Sequence, residues 1–210
     1  MRHMTIWLAA LAASSAMNAS VAAPSTRWGG GEILWDSFGV PHIYAKTEEG
    51  GFYGFGYAQA QSHGNLLLRM YGESRARAAE YWGEKYESQD KWLVANDVPA
   101  RSAQWFRQQT PQMQKNLEAF AAGVNAYAAA HPDRIAPEVK VVLPLRGVDI
   151  IAHAQRLMNF GYIASDRKVL TDPSINEAGG SNAWAVAPSR SASGKAMLLA
   201  TPHLPWAPSQ

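Results

Sequence analysis

Gly180-Ser181 stands where a polar stretch of the sequence gives way to an apolar strand. A serine hydroxyl is a candidate nucleophile for acyl transfer where a base can take its proton. By itself, a serine in such a place is ordinary strand-opening punctuation, so its type alone decides nothing. Ser181 is followed by Asn182-Ala183, so the Gly-x-Ser-x-Gly elbow is missing, which counts against an α/β-hydrolase. His42, His63, His131 and His153 lack the His-x-x-x-His or Cys spacing of a metal site, and a zinc-assisted reaction has no support.

The elements that must position these residues can be read from pattern. Residues 182–187 and 196–200 are apolar strands, and Ser191-Ala192-Ser193-Gly194-Lys195 supplies the turn of a β-hairpin. Residues 165–180 read as an exposed connection rich in Asp, Ser, Thr and Gly. Near the front, 32–35 and 42–45 are short strands joined through Gly39 and Pro41. Thr47-Glu48-Glu49 opens a helix with acidic residues in its first turn. That helix is rich in glycine over 50–57, at a cost of about 1 kcal/mol each relative to alanine. A close approach to another backbone would explain the choice.

Periodicity continues the helix from Ala58 to about Tyr81 through Leu67, Met70, Tyr71 and Ala78, with Trp82-Gly83 closing it. Arg69, Arg75 and Arg77 read as a solvated or salt-bridged face. Thr110 and Pro111 start another helix. Its apolar stripe runs through Met113, Leu117, Phe120, Ala121, Val124 and Tyr127 until His131-Pro132-Asp133 stops it. Asp149 is the expected cap of a last helix, from Ile150 to about Tyr162.

Composition sets the class. The 210 residues are 47% hydrophobic and 17% charged, which describes a globular chain. Nineteen basic and 17 acidic residues are well mixed and no basic run interleaves with aromatics, so a nucleic-acid partner is not expected. Eight Trp and eight Tyr serve a core, and so many rings also suit a pocket for an apolar ligand. Arg2-His3, a short apolar run over 6–13 and Ser20-Val21-Ala22-Ala23 make a secretory signal with cleavage expected after Ala23. The run is too short to cross a bilayer. With no cysteine, an exported chain must rest on its core or on partner segments, which fits a periplasmic or secreted setting.

Ser181-Asn182-Ala183-Trp184, followed by Gly194-Lys195-Ala196-Met197-Leu198-Leu199-Ala200-Thr201-Pro202-His203-Leu204-Pro205-Trp206, resembles the nucleophile region of penicillin acylases. The closest likeness is to the acyl-homoserine lactone and cyclic lipopeptide acylase branch. Upstream, Asp36-x-x-Gly39-Val40-Pro41-His42-Ile43, Gly54-Phe55-Gly56-Tyr57-Ala58-x-Ala60 and Gly72-Glu73-x-Arg75-Ala76-Arg77 resemble the start of that family's α chain, in the family's order. The resemblance implies an N-terminal-nucleophile hydrolase of α+β class, an αββα sandwich. Only the mainly helical α chain and the first β-hairpin of the β chain would be present here. It divides the chain into a signal peptide (1–23), an α chain (24–164), a linker (165–180) and the start of a β chain (181–210) that continues further in the family.

The implied chemistry is specific. Ser181 attacks the Gly180 carbonyl and the resulting ester is hydrolysed; glycine on the acyl side leaves that carbonyl uncrowded. Cleavage exposes the Ser181 α-amine, of ordinary pKa about 7.7–8.0, as base for its own hydroxyl. The mature enzyme would cleave an acyl amide through an acyl-serine. Acyl-homoserine lactones are favoured, and penicillins and lipopeptides stay open. By resemblance His203 orients the serine amine or assists self-cleavage, and a hairpin-end histidine satisfied by backbone is the competing role. Leu204 falls in a slot that lines the acyl pocket, and Met158 and Phe160 in a segment that gates it, with core packing as their competing role. The family's oxyanion donors lie well beyond position 206. Some penicillin acylases bind calcium, but no ligands for it are identifiable, and no cofactor is expected. Partners would be an acyl amide substrate and the remainder of the β chain, forming an α/β heterodimer. A catalytically inactive fragment, or a secreted module that binds an apolar ligand, is the alternative.

Overall fold

The computed structural model describes residues 25–157 and 180–203. The expected signal peptide, most of the linker, and Met158, Phe160 and Leu204 lie outside the described residues.

The chain opens with a three-stranded antiparallel meander, β1 (Ser25–Trp28), β2 (Gly31–Trp35) and β3 (Pro41–Ala45). The last two were expected; β1 was not, because its alternation of polar and aromatic residues is too short to stand out. Alternation buries Ile33 of the central strand completely. The β2–β3 turn is closed by the Asp36 carboxylate, which accepts from the N–H groups of Phe38 and Val40, both at 2.9 Å. Gly39, at φ 78°, takes the left-handed position there.

Helix α1 (Glu48–Ser74) begins as the sequence predicts, with Thr47 Oγ1 accepting from Gly50 N–H at 3.0 Å. It kinks at His63, whose backbone is not helical (φ −142°, ψ 32°). Its main partner is α5 (Pro111–Ala130), capped by Thr110 Oγ1 accepting from Met113 N–H at 3.2 Å. The glycines of α1 have the expected cause. A Cβ on Gly56 would stand 2.1 Å from the Phe120 carbonyl oxygen of α5. Leu68, Tyr71, Phe120, Ala121, Val124, Tyr127, Val139 and Val142 form the core at this contact.

The helix expected to run on to residue 81 is broken. Ala76 adopts a positive φ of 55°, and α2 (Ala78–Trp82) starts afresh, ending at Gly83 with φ 96°. Two helices follow that periodicity did not register, α3 (Glu87–Ala95) and α4 (Val98–Gln108). The last described helix is α6 (Gly147–Gln155). Asp149 does not cap it from outside as expected. Arg146 holds the cap position and Asp149, inside the first turn, reaches back to accept from Arg146 N–H at 2.8 Å.

A second sheet is the hairpin of β4 (Gly180–Val186) and β5 (Met197–His203). The strands are longer than the sequence suggests, so Gly180 and Ser181 lie within β4 rather than ahead of it. The connection carries a short 3₁₀ turn (Pro188–Arg190), a hydroxyl contact of 2.8 Å between Ser191 and Ser193, and Gly194 at φ 66°.

Candidate functional site

The ladder of the hairpin sets the geometry around Ser181. Gly180 pairs with His203, Ser181 with Pro202 and Asn182 with Thr201. His203 therefore stands directly across from the residue on the acyl side of the Gly180–Ser181 bond. Side chains alternate along a strand, so Asn182, Trp184, Leu199 and His203 share one face while Ser181, Ala183, Leu198 and Ala200 share the other. The Asn182 Nδ2 to His203 Nε2 separation of 3.4 Å fits that assignment. The imidazole and the Ser181 hydroxyl are thus on opposite faces of the strand pair.

Asn182 is the neighbour that sequence reasoning passed over. Its side-chain amide lies against the His203 imidazole, and its place beside Ser181 in a two-residue period was the available signal. Both faces of the hairpin are apolar and exposed. Trp184 is 55% and Leu199 60% exposed on one face, and Leu198 is 74% exposed on the other. A two-stranded hairpin of this kind is marginal in water unless other elements pack on it.

A second polar constellation ties α1 to α6. Arg75, expected on a solvated or salt-bridged face, is a largely buried ion-pair partner. Its Nε donates to Asp149 Oδ1 at 2.8 Å and its Nη2 to Asp149 Oδ2 at 2.7 Å, a bidentate fork, with a further donation to the Pro144 carbonyl at 3.0 Å. Burial opposes the Arg75 charge, but the Asp149 carboxylate and, to a lesser degree, Tyr81 together outweigh it and raise the guanidinium pKa. Arg77 pairs instead with Glu80 at the surface, and Arg69 lies over the Trp82 ring at 4.0 Å.

One turn beyond Asp149, His153 Nδ1 lies 3.2 Å from Ser74 Oγ, and the Tyr71 ring meets the imidazole edge-on at 5.1 Å between centroids. Burial, with a smaller contribution from Arg156, lowers the His153 pKa to about 4, so the ring is neutral at physiological pH. Arg156 itself pairs with Glu73. His153 lines an apolar groove of about 420 Å³ among α1, α5 and α6. A larger cavity of about 710 Å³ lies between the end of α1, α4 and α6, with the Arg75–Asp149 pair in its wall. Neither includes Ser181 or His203.

Among the described residues no group of three or more His, Asp or Glu is placed to hold a metal ion, and no helix is long and apolar enough to cross a membrane.

Residues 31–210 match the family model for penicillin amidase. An acyl-homoserine lactone acylase of Pseudomonas fluorescens, PvdQ, is 30% identical over 210 aligned positions, covering 83% of this chain and 27% of that protein. Penicillin G acylase of Escherichia coli is 27% identical over 113 positions, covering 54% of this chain and 13% of that protein. Among solved structures, a thermostable penicillin G acylase of Alcaligenes faecalis superposes with a TM-score of 0.57 at 22% identity, covering 70% of this chain and 85% of that one. The chain spans less than a third of the length of the curated Pseudomonas relatives it matches, 27% and 30% of the first two.

Proposed function

Because the chain belongs to the penicillin amidase family, we propose that it forms the leading part of an exported, self-processing amidohydrolase whose nucleophile is Ser181. The observation that carries the reading is the union of two facts. The family match runs through the hairpin, and the hairpin sets Ser181 second in β4 with His203 across from Gly180.

In this reading the Ser181 hydroxyl adds to the Gly180 carbonyl carbon, the Gly180–Ser181 C–N bond breaks, and the acyl group passes to Oγ as an ester. The nitrogen takes the proton lost by the hydroxyl. Water then hydrolyses the ester, leaving a Gly180 carboxylate and a free Ser181 α-amine. That amine serves as base when the hydroxyl attacks the carbonyl of a substrate amide. The substrate amine departs with a proton, and water releases the acid from the acyl-serine. His203 acts from the Gly180 side, on the scissile amide and the amine it yields, since its ring does not share a face with the hydroxyl. By the family resemblance, Leu204 would line the acyl pocket and Met158 and Phe160 would gate it.

Acyl-homoserine lactones are the favoured substrates, supported by the names of the Pseudomonas relatives. The exposed apolar residues on both faces of the hairpin support its place as the opening strand pair of an αββα sandwich, completed as an α/β heterodimer. The leader over residues 1–23 supports a periplasmic or secreted location. No cofactor takes part.

The test is intact mass spectrometry of the protein expressed from its whole native reading frame, beside Ser181→Ala. A break before Ser181, lost in the variant, supports the reading; an uncut chain trimmed only near Ala23 overturns it. Processed protein is then assayed on acyl-homoserine lactones of graded chain length, where release of homoserine lactone is the expected product.

A further inference from the structure

Pro202 stands opposite Ser181 in the hairpin ladder. An antiparallel ladder alternates between pairs that exchange two N–H···O=C bonds and pairs that exchange none. Proline has no N–H, so it keeps a ladder whole only at a pair of the second kind. The pairing runs unbroken from Gly180–His203 to Val186–Met197. Ser181–Pro202 is therefore a non-bonded pair, and the bonded pairs are Gly180–His203, Asn182–Thr201, Trp184–Leu199 and Val186–Met197. In this phase the main-chain N–H of His203 points at the carbonyl oxygen of Gly180, on the acyl side of the Gly180–Ser181 bond. The opposite phase would turn that N–H away from β4 and deprive the Ser181 carbonyl of a ladder donor.

We propose that the His203 main-chain N–H is the oxyanion donor for cleavage of the Gly180–Ser181 bond. The inference rests on the proposed self-processing, and it gives the backbone of His203 a role separate from that of its ring. Side chains of a strand stand off the plane of the sheet, whereas ladder bonds lie within it. The Ser181 hydroxyl can thus approach the Gly180 carbonyl carbon from one face while the N–H holds the oxygen edge-on. The imidazole stands on the other face, 3.4 Å from the Asn182 amide, and leaves that approach open. As the Oγ–C bond forms, the carbonyl π pair moves onto the oxygen. A donor that met a neutral carbonyl in the ladder then meets an anion, so its bond strengthens in the transition state. On collapse the pair returns, the C–N bond breaks, and the departing nitrogen takes the hydroxyl proton.

The test exchanges a single group. In protein translated in vitro from the whole native reading frame, His203 is replaced by its α-hydroxy acid, which keeps the imidazole and turns the N–H into an ester oxygen. The control makes the same exchange at Leu199, whose N–H serves Trp184 in the same ladder. Release of the Ser181 amino terminus is timed by intact mass. The ester at 203 should slow it by about 100-fold, the scale of one lost oxyanion donor, while the ester at 199 should leave it close to the native rate. A crystal structure of the uncut Ser181→Ala precursor should place His203 N within about 3 Å of Gly180 O. Native timing with the ester at 203, equal slowing by both esters, or a precursor register that turns the His203 N–H away from Gly180 would each overturn the proposal. A native chain that is never cut sinks the processing reading and this inference with it. A native chain that is cut, beside a 203 ester cut just as fast, sinks this inference alone.

Discussion

Gly56 of α1 and Gly123 of α5 form a reciprocal close contact between two helices. A Cβ on Gly56 would meet the Phe120 carbonyl oxygen at 2.1 Å, and one on Gly123 would meet the Tyr53 carbonyl oxygen at 2.0 Å. Each glycine admits the backbone of the turn that carries the other. The two helices are thereby locked in axial register as well as in distance.

Gly56→Ala and Gly123→Ala should therefore each destabilise the fold by about 3 kcal/mol, since the atom in the way is backbone and cannot rotate aside. Gly51→Ala is the control in the same helix. Nothing lies within 4 Å of its Cβ position, and the change should stabilise by up to about 1 kcal/mol. Urea unfolding of the three variants checks both signs.

The Arg75–Asp149 fork should behave as a buried ion pair whose halves cannot be removed singly. Arg75→Met leaves a carboxylate that is 4% exposed without its partner and should cost about 3 kcal/mol. Asp149→Asn keeps an acceptor for Arg146 N–H and should cost less. The double variant should lose less than the sum of the two, and the double-mutant cycle gives the coupling directly.

His153 predicts an acid-side loss of stability with a defined window. Its folded pKa, about 4, lies below the ordinary 6.5. Between these values the unfolded chain binds a proton that the folded chain refuses, so stability falls as pH drops from 6.5 toward 4. Below the folded pKa the deficit stops growing. The nearby charges are Arg156, paired with Glu73, and the Arg75–Asp149 fork one turn away. Relative to His153→Gln, the wild-type chain should lose about 3 kcal/mol across that window. Denaturant melts of both proteins at pH 7, 5.5 and 4.5 measure it.

His203 makes a kinetic prediction that rests on the proposed processing. His203→Ala should slow the appearance of the Ser181 amino terminus by about tenfold or more. Asn182→Ala, which removes the 3.4 Å contact to the ring, should slow it less. Unchanged timing in His203→Ala would reduce that residue to a packed hairpin-end histidine.

How much of this was legible depends on whether the signal is local. Thr47, Thr110 and Pro111 mark helix starts through chemistry confined to one turn, and they stand where the sequence puts them. The glycines over 50–57 could be read as a close approach, though not which backbone approaches. The break at Arg75-Ala76-Arg77 could not be read. No glycine or proline marks it, and alanine is the best helix former. Ala76 takes its left-handed turn where Arg75 reaches Asp149, a partner 74 positions away. The start of α4 did carry a signal, Pro99 in its first turn, but Asp97 before it takes a left-handed conformation that the pattern does not announce. At the candidate site, strand alternation alone separates His203 from the Ser181 hydroxyl, yet only the observed register says which residues pair. The Ser74–His153 contact joins two helices and leaves no trace in either one's periodicity.

The kink at His63 changes what α1 can tolerate over evolutionary time. Each added residue turns a continuous helix by about 100°, so an insertion near Gly56 would swing the glycine away from Phe120 and drive a side chain into the gap. A helix interrupted by a non-helical residue does not transmit that rotation in full. An insertion or deletion beside His63 can be absorbed where the angular phase is already broken. The half that meets α5 through glycine and the half that carries Tyr71, Ser74 and Arg75 can then drift in length independently. Among homologous chains, gaps within α1 should gather at this one position.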